Sequence, residues 1–256
     1  MGQYTIRITE DCIDVSFPQK ITPELAEFLG IMIGDGHLAF GPRKSKNGNP
    51  YLKYKVAIAC NSEESQYVSF LQGLFESLFS SSLYKIRDKR SKCLILQKNS
   101  KPIAKFLKYS CGLPTNNKTN SLSIPPIILD GSGKIKCAFL RGLADTDFSL
   151  LFKNKNKSYH TYPVIKATFR GKKIIDGIRR LYDDLGFTYC VVYEEKSYDK
   201  RQSRYEYKNS IYLNGRGNLA RWMKKIGFSN YKNLAKFRKW HADGFCPPGY
   251  KAPDAI

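Results

Sequence analysis

Two stretches of this chain repeat one pattern in different residues, and that duplication limits the fold more than any other feature. "EFLGIMIGDG" (27–36) and "CAFLRGLADTDFSL" (137–150) are apolar, carry small residues at helical spacing, and reach a carboxylate at the end: Asp35 and Asp147, 112 residues apart. After each comes an extended hairpin, a helix, a second hairpin and another helix. A chain that repeats an αββαββα unit folds as a pseudo-dimer, and a two-fold site in it takes one contribution from each half.

The periodicities support that division. In "YLKYKVAIAC" (51–60) Lys53 and Lys55 alternate with Leu52, Val56 and Ile58, the pattern of a half-buried strand. "SEESQYVSFLQGLFESLF" (62–79) reads as a helix capped by Ser62 with Tyr67, Phe70, Leu71 and Leu74 on its apolar side. Residues 84–97 read as a hairpin, and 101–113 as a helix opened by Pro102. The second half offers a strand at 162–170, a helix at 172–187 ending on Gly186, a hairpin from 188–195 and 205–214, and a helix at 218–228. A further helix is expected near 230–240. A Pro-, Asn-, Ser- and Gly-rich stretch joins the halves, so the expected organisation is an α+β fold with an N-terminal subdomain (1–112), a linker (113–133) and a C-terminal subdomain (134–256).

The paired acids need an explanation. Thr22-Pro23-Glu24 is a strong helix start. Gly30 and Gly34, matched by Ala138, Gly142 and Thr146, leave faces bare enough for two helix backbones to approach closely. Such pairing brings Asp35 and Asp147 side by side at the negative ends of two helix dipoles, where they repel. A divalent cation between them removes the penalty. Oxygen ligands of this kind suit Mg²⁺, the cation of phosphodiester hydrolysis. The plainer alternative, in which each Asp only caps a turn, does not account for two matching copies.

Charge names the partner class. Forty-three Lys and Arg against 22 Asp and Glu give +21, a load that calls for a polyanion, and nucleic acid leads. Hydrophobic residues at 42% exclude a disordered basic tail. No apolar run approaches the ~20 residues of a membrane span. The N-terminus lacks a secretory h-region, and its formal match to a myristoylation signal has nothing else to support a membrane partner. Seven scattered cysteines without a C-x-x-C pair, and three histidines, argue against zinc and for reduced thiols in an intracellular protein.

"FLGIMIGDG" (28–36) and "LRGLADTDF" (140–148) resemble the two copies of the LAGLIDADG motif, and nearly the whole chain resembles the single-chain, two-repeat LAGLIDADG homing endonucleases of the archaeal intron-encoded type. The resemblance implies antiparallel four-stranded saddle-shaped sheets lying in the DNA major groove, motif helices at the interface, and double-strand cleavage at a long target leaving 3′ overhangs. It implies Mg²⁺, with Mn²⁺ or Ca²⁺ able to substitute for binding, held by Asp35 and Asp147 with the carbonyls of Gly34 and Thr146. It places a basic residue near the metal water at Lys101 and, less directly, at Arg216, since Gly217 aligns best there. Polar residues at the strand ends would be Cys60 or Asn61, and Thr168 or Arg170. Phe148 departs from the pattern that Gly36 keeps, and it can follow the acid only if the backbone there does not need φ > 0. Asp145 caps or bonds within the interface on this reading, and His37 is a hydrogen-bonding loop residue.

Alternating positions give a candidate DNA-reading face: Lys53, Lys55, Lys85, Arg87, Lys166, Thr168, Arg170, Tyr193 and Glu195. Basic loops at 41–50, 87–92, 152–160 and 194–208 would extend the footprint. The partner is then double-stranded DNA, bound by a monomer. The alternatives are a maturase that binds intron RNA and a non-catalytic DNA-binding regulator; retention of both acids favours the nuclease. Met1 and Ile256 are not splicing residues, so an intein is not expected.

Overall fold

The computed structural model describes residues 15–87, 92–116, 122–155, 159–199 and 203–250. The readings of the N-terminal signal, and parts of the loops at 87–92, 152–160 and 194–208, fall outside these residues. Among the described residues no helix is long and apolar enough to cross a membrane.

The first half runs α1 (Pro23–Ile33), β1 (Gly36–Lys44), β2 (Pro50–Asn61), α2 (Ser65–Phe79), β3 (Tyr84–Arg87), β4 (Cys93–Asn99) and α3 (Lys101–Lys105), which continues as a π turn over Phe106–Ser110. A short α4 (Pro126–Leu129) follows. The second half runs α5 (Gly133–Asp147), β5 (Phe148–Lys153), β6 (Tyr162–Phe169), α6 (Lys172–Leu185), β7 (Cys190–Asp199), β8 (Arg204–Asn214), α7 (Gly215–Lys225) and α8 (Tyr231–Asp243). The strands form two antiparallel four-stranded sheets of equivalent order, β1-β2-β4-β3 and β5-β6-β8-β7. The fold is α+β and internally duplicated.

The chain divides into two compact units, one from Met1–Lys118 and Pro125–Leu143, the other from Thr119–Ile124 and Ala144–Ile256. The boundary therefore falls inside α5. Residues expected in the linker are built into both cores: Ile127 and Ile128 are buried in the first unit, while Ile124 packs on Gly177 of α6 in the second.

In the first unit, α1 starts as its sequence demands. Thr22 Oγ1 accepts from Leu25 N at 3.2 Å and Pro23 takes the first turn. Residues Leu25 to Ile33 are all buried, so this helix has no wet face. Phe28 meets Phe75 and Phe79 of α2 at 5.8 and 5.6 Å between ring centroids. On another side lies α5, touching backbone to backbone. A Cβ on Gly30 would stand 2.2 Å from the Phe139 carbonyl oxygen, and one on Gly142 would stand 2.0 Å from that of Glu27. Glycine is required at both positions by approach, not by dihedral angle. Glu27 closes the contact with a two-pronged ion pair from Arg141, Nε to Oε1 at 2.9 Å and Nη2 to Oε2 at 2.5 Å.

Helix α2 begins at Ser65 rather than at 62. Ser62 does not cap it: its N–H donates to Lys92 O at 2.8 Å, extending the strand pairing, while Asn61 Oδ1 accepts from Glu63 N at 3.1 Å to turn the chain. Helix α7 starts at Gly215, three residues before the apolar periodicity shows it. In the second unit Ile174, Ile175, Ile178, Leu181, Tyr182 and Leu185 form the buried stripe of α6, closed by Gly186 at φ 72°. The additional helix α8 is docked on the second sheet, where the Trp240 ring stacks on Phe152 at 5.6 Å and its indole N–H donates to Thr161 O at 2.8 Å.

Candidate metal-binding acids and nucleic-acid interface

The two motif helices deliver their acids differently. Helix α1 stops at Ile33, and the Gly34 N–H closes the last turn on Gly30 O at 3.1 Å. Asp35 lies in the following turn, exposed, its carbonyl accepting from Ala59 N of β2 at 3.1 Å. The chain then folds back so tightly that a Cβ on Gly36 would lie 2.4 Å from Met32 Cα and 2.6 Å from Met32 O. Gly36 is not among the residues with positive φ, so a steric limit and not a dihedral one keeps glycine there. Helix α5 instead continues through Asp147 and passes directly into β5. Phe148 then has room: it is buried, its ring 6.0 Å from that of Trp222. The departure from the motif thus reflects a different exit from the helix.

Asp147 is half-buried, and Thr146 Oγ1 donates to its Oδ2 at 3.4 Å. Asp145 is buried and accepts from the Ser229 backbone N–H at 2.9 Å, which ties the end of α5 to the segment leading into α8. Near Asp35 sits Cys60, whose thiol is pushed up to about 11, first by burial and then by the negative charges of Cys93, Glu64 and Asp35. It donates to Leu94 O at 3.4 Å and behaves as a packed thiol. Among the described residues no three His, Cys, Asp or Glu gather into a metal cluster. What each unit offers is a carboxylate beside helix-end carbonyls, an all-oxygen set that fits Mg²⁺, Mn²⁺ or Ca²⁺ and not zinc.

Lys101 is the first residue of α3, exposed, just after Ser100, whose Oγ accepts from Ile103 N at 3.3 Å. It borders a cleft lined by Tyr51, Leu52, Lys53, Tyr54 and Asn99. Arg216 lies in the first turn of α7 with its guanidinium 5.7 Å from the Trp240 ring centroid, so α8 holds it by a cation–π contact.

Residues directly opposite across an antiparallel pair share a face, which sorts the candidate readers. In the first sheet Leu38, Val56, Leu94 and Leu96 define the covered face. Lys53 and Lys55 lie on the other, open face with Gln97, Asn99, Tyr84 and Ile86. Partial burial, and after it the positive charge of Lys53, lowers the Lys55 pKa. Lys85 and Arg87 do not belong with them. They stand opposite Leu96 and Leu94, on the covered side of the exposed edge strand β3. The alternation of β3 was read in the wrong phase because nothing in a four-residue strand fixes it.

In the second sheet Lys166 and Thr168 lie on the open face with Tyr212 and Ser210, as expected; Thr168 Oγ1 and Ser210 Oγ are 3.0 Å apart, and Lys166 Nζ is 5.1 Å from the Tyr212 ring centroid. Tyr193 and Glu195 do not share a face. A bulge between Val192 and Glu195 inserts one residue, with Glu194 at φ 56° and its N–H donating to Asn209 Oδ1 at 3.0 Å. Tyr193 therefore turns to α6, where its hydroxyl donates to Asp176 Oδ1 at 2.5 Å and accepts from Arg179 Nη1 at 3.1 Å. Glu195, past the bulge, stands opposite Lys208 on the open face. Arg170 joins that face but is bonded to Glu206.

No family model matches the chain. Among solved structures it is similar to I-DmoI in complex with DNA and Mn, with a TM-score of 0.53 at 18% identity over 80% of this chain and 96% of that one. The I-LtrWI LAGLIDADG homing endonuclease bound to target DNA gives 0.56 at 11% identity, covering 87% and 89% of the two chains. The fold is that of the LAGLIDADG homing endonucleases. An I-SmaMI variant shares it as well, at a TM-score of 0.55 and 11% identity over 88% and 90% of the chains. Among curated proteins the chain is 25% identical over 248 residues to the uncharacterised protein MJ1054 of Methanocaldococcus jannaschii, covering 94% of this chain and spanning about a quarter of that protein's length.

Within the LAGLIDADG fold, the open faces also hold residues that the one-dimensional reading missed. Gln97, Asn99, Arg204, Lys208 and Tyr212 reach them through cross-strand register, while Ser210 on the same side is fully buried against Thr168. The only sequence signal for these was their even spacing along β4 and β8, which marks one face but not which face is open.

Proposed function

We propose that this chain is a site-specific DNA endonuclease that hydrolyses both strands of a long target with a divalent metal. The observation that carries the reading is that both halves unite the same two parts: an acid at the end of a motif helix, Asp35 or Asp147, and a four-stranded sheet with cations on its open face. The sequences of the two halves differ, yet the pairing of parts recurs.

On this reading Asp35 with the carbonyl of Gly34 would hold divalent metal in the first unit, and Asp147 with the carbonyl of Thr146 would do so in the second. Bound there, the metal lowers the pKa of its water and stabilises charge on the leaving oxygen. Lys53, Lys55, Lys166, Thr168, Arg170 and Glu195 position the duplex from the major groove, in a ribbon geometry that the groove admits. Lys101, at the exposed start of α3, brings a positive charge to the phosphate, and Arg216 does the same from α7 with its guanidinium steadied by Trp240. The DNA-bound neighbours support a DNA partner, and a monomer with two halves suffices for two strands.

Incubation with a plasmid library of candidate insertion sites, with Mg²⁺ or with EDTA, tests the reading. Linear product with 3′ overhangs is expected only with Mg²⁺. Asp35→Asn and Asp147→Asn are expected to abolish double-strand cleavage while binding persists; binding lost in parallel would mean that these acids serve structure and not chemistry. A second reading, binding of structured intron RNA, is favoured by one observation. Tyr198, Tyr205 and Tyr207 are 51–62% exposed on the ribbon of β7 and β8, where unpaired bases could stack.

A further inference from the structure

A buried acid on the open face of the second sheet is out of place in a protein of charge +21. Glu206 stands opposite Ser197 in the ribbon, on the face of Lys208 and Ser210, with its side chain only 6% exposed. A carboxylate on a surface meant for a polyanion repels that partner unless it is neutralised, and burial makes an unpaired charge more costly still. Two guanidiniums answer it. Arg170 Nη2 donates to Glu206 Oε1, and Arg204 donates to the same oxygen from Nε at 3.3 Å and Nη2 at 3.2 Å.

The arrangement is built from both ends. Asn209, 4% exposed, donates from Nδ2 to the Arg170 carbonyl at 2.7 Å and accepts from the Glu194 N–H at the bulge at 3.0 Å. The backbone of Arg170 is thus tied to β8 and the bulge while its side chain is tied to Glu206. The guanidinium ends are not consumed. Arg170 and Arg204 remain 39% and 58% exposed, and each keeps N–H donors beyond those given to the carboxylate. One acid beneath two forks leaves a net positive, oriented donor pair.

A phosphate contact needs only a positive charge within reach, and a loose lysine provides it. A fork locked in orientation is what a planar pair of acceptors requires, and in the major groove that pair is O6 and N7 of guanine. We infer that Glu206 is a positioning residue that holds Arg170 and Arg204 as a guanine-reading pair, so that the half-site under the second sheet carries guanine where they meet it. This rests on the reading of the chain as a sequence-specific DNA-binding protein.

The test is binding-site selection from duplexes with a randomised centre, run without Mg²⁺ for the wild type, Glu206→Gln, Arg170→Lys and Arg204→Lys, with folding followed by thermal melting. The selected duplex is then remade with 7-deazaguanine, which lacks the N7 acceptor, at each guanine of that half-site. The wild type is expected to select guanine and to lose about tenfold in affinity at one or two 7-deaza positions, the factor that a good bidentate contact supplies. Glu206→Gln removes the buried negative charge, so its overall affinity should hold or rise while guanine preference and 7-deaza sensitivity at those positions fall away. The Lys variants should lose the same preference without regaining it at higher protein concentration. An unchanged selected sequence in a folded Glu206→Gln protein, or 7-deaza sensitivity that survives in both Lys variants, overturns the inference and leaves the DNA-binding reading intact. A wild type that selects no sequence overturns both.

Discussion

The contact between α1 and α5 gives the sharpest quantitative expectation. In Gly142→Ala the new methyl carbon would begin 2.0 Å from Glu27 O, whereas carbon–oxygen contacts settle at ~3.3–3.6 Å. The helices must therefore part by roughly 1.3–1.6 Å at that point, because the obstruction is backbone and no side chain can rotate away. Overpacking of this kind costs ~1–3 kcal/mol, and alanine returns up to ~1 kcal/mol through helix propensity. With the rigid obstacle placing the strain at the upper end, the net loss should be about 2 kcal/mol. Gly30→Ala meets Phe139 O at 2.2 Å and should cost about as much. Since either methyl opens the same gap, the double variant should fall short of the sum by ~1 kcal/mol. Gly73→Ala is the control: this exposed glycine inside α2 has nothing within 4 Å of a new Cβ, so its replacement should stabilise by up to ~1 kcal/mol. Urea melts of the four variants and the wild type, compared at constant m, measure all of this. A Gly142→Ala protein as stable as the wild type, or strictly additive losses, would refute the backbone-contact argument.

Other expectations are more local. Arg141→Met removes the two-pronged ion pair from the buried Glu27 carboxylate and should cost ~2–4 kcal/mol in the same melts, less than a fully buried pair because Arg141 is partly exposed. Tyr193→Phe should leave DNA affinity within about twofold, its hydroxyl being committed to α6, whereas Lys166→Ala should weaken binding and flatten its salt dependence by about one counterion. Cys60, with its thiol raised to about 11, should react with iodoacetamide more slowly than exposed Cys190 at neutral pH. Its rate should climb with each pH unit up to about 11, and Asp35→Asn should lower that midpoint by removing a negative charge. Peptide mass mapping after timed alkylation reads both effects.

Much of the molecule was legible in one dimension because its signals are local. Proline at the first turn and Thr22 as a cap start α1 where expected, and Gly186 ends α6. Period-two alternation located β2 and β6, and the duplication reappears as two four-stranded antiparallel sheets. The errors share one cause. Ser62 precedes an apolar run as a cap would, but its N–H pairs with Lys92 O across the sheet, Asn61 turns the chain, and the helix starts only at Ser65. Lys85, Arg87 and Tyr193 were assigned to the wrong face because phase along a strand cannot be carried across a hairpin or a bulge without the register.

The division is physical. Helix periodicity, caps, turn glycines and net charge act within a few residues or over the whole chain, so the order of residues by itself determined the α+β repeat, the acids at the ends of the two motif helices and a net charge that suits a polyanionic partner. Register, bulge position and backbone approach depend on atoms far apart in the chain. The tertiary structure alone decided that Gly30 and Gly142 are held by facing carbonyls, that Gly36 and Phe148 answer two different helix exits, and that Glu206 sits buried between Arg170 and Arg204 on the open face of the second sheet.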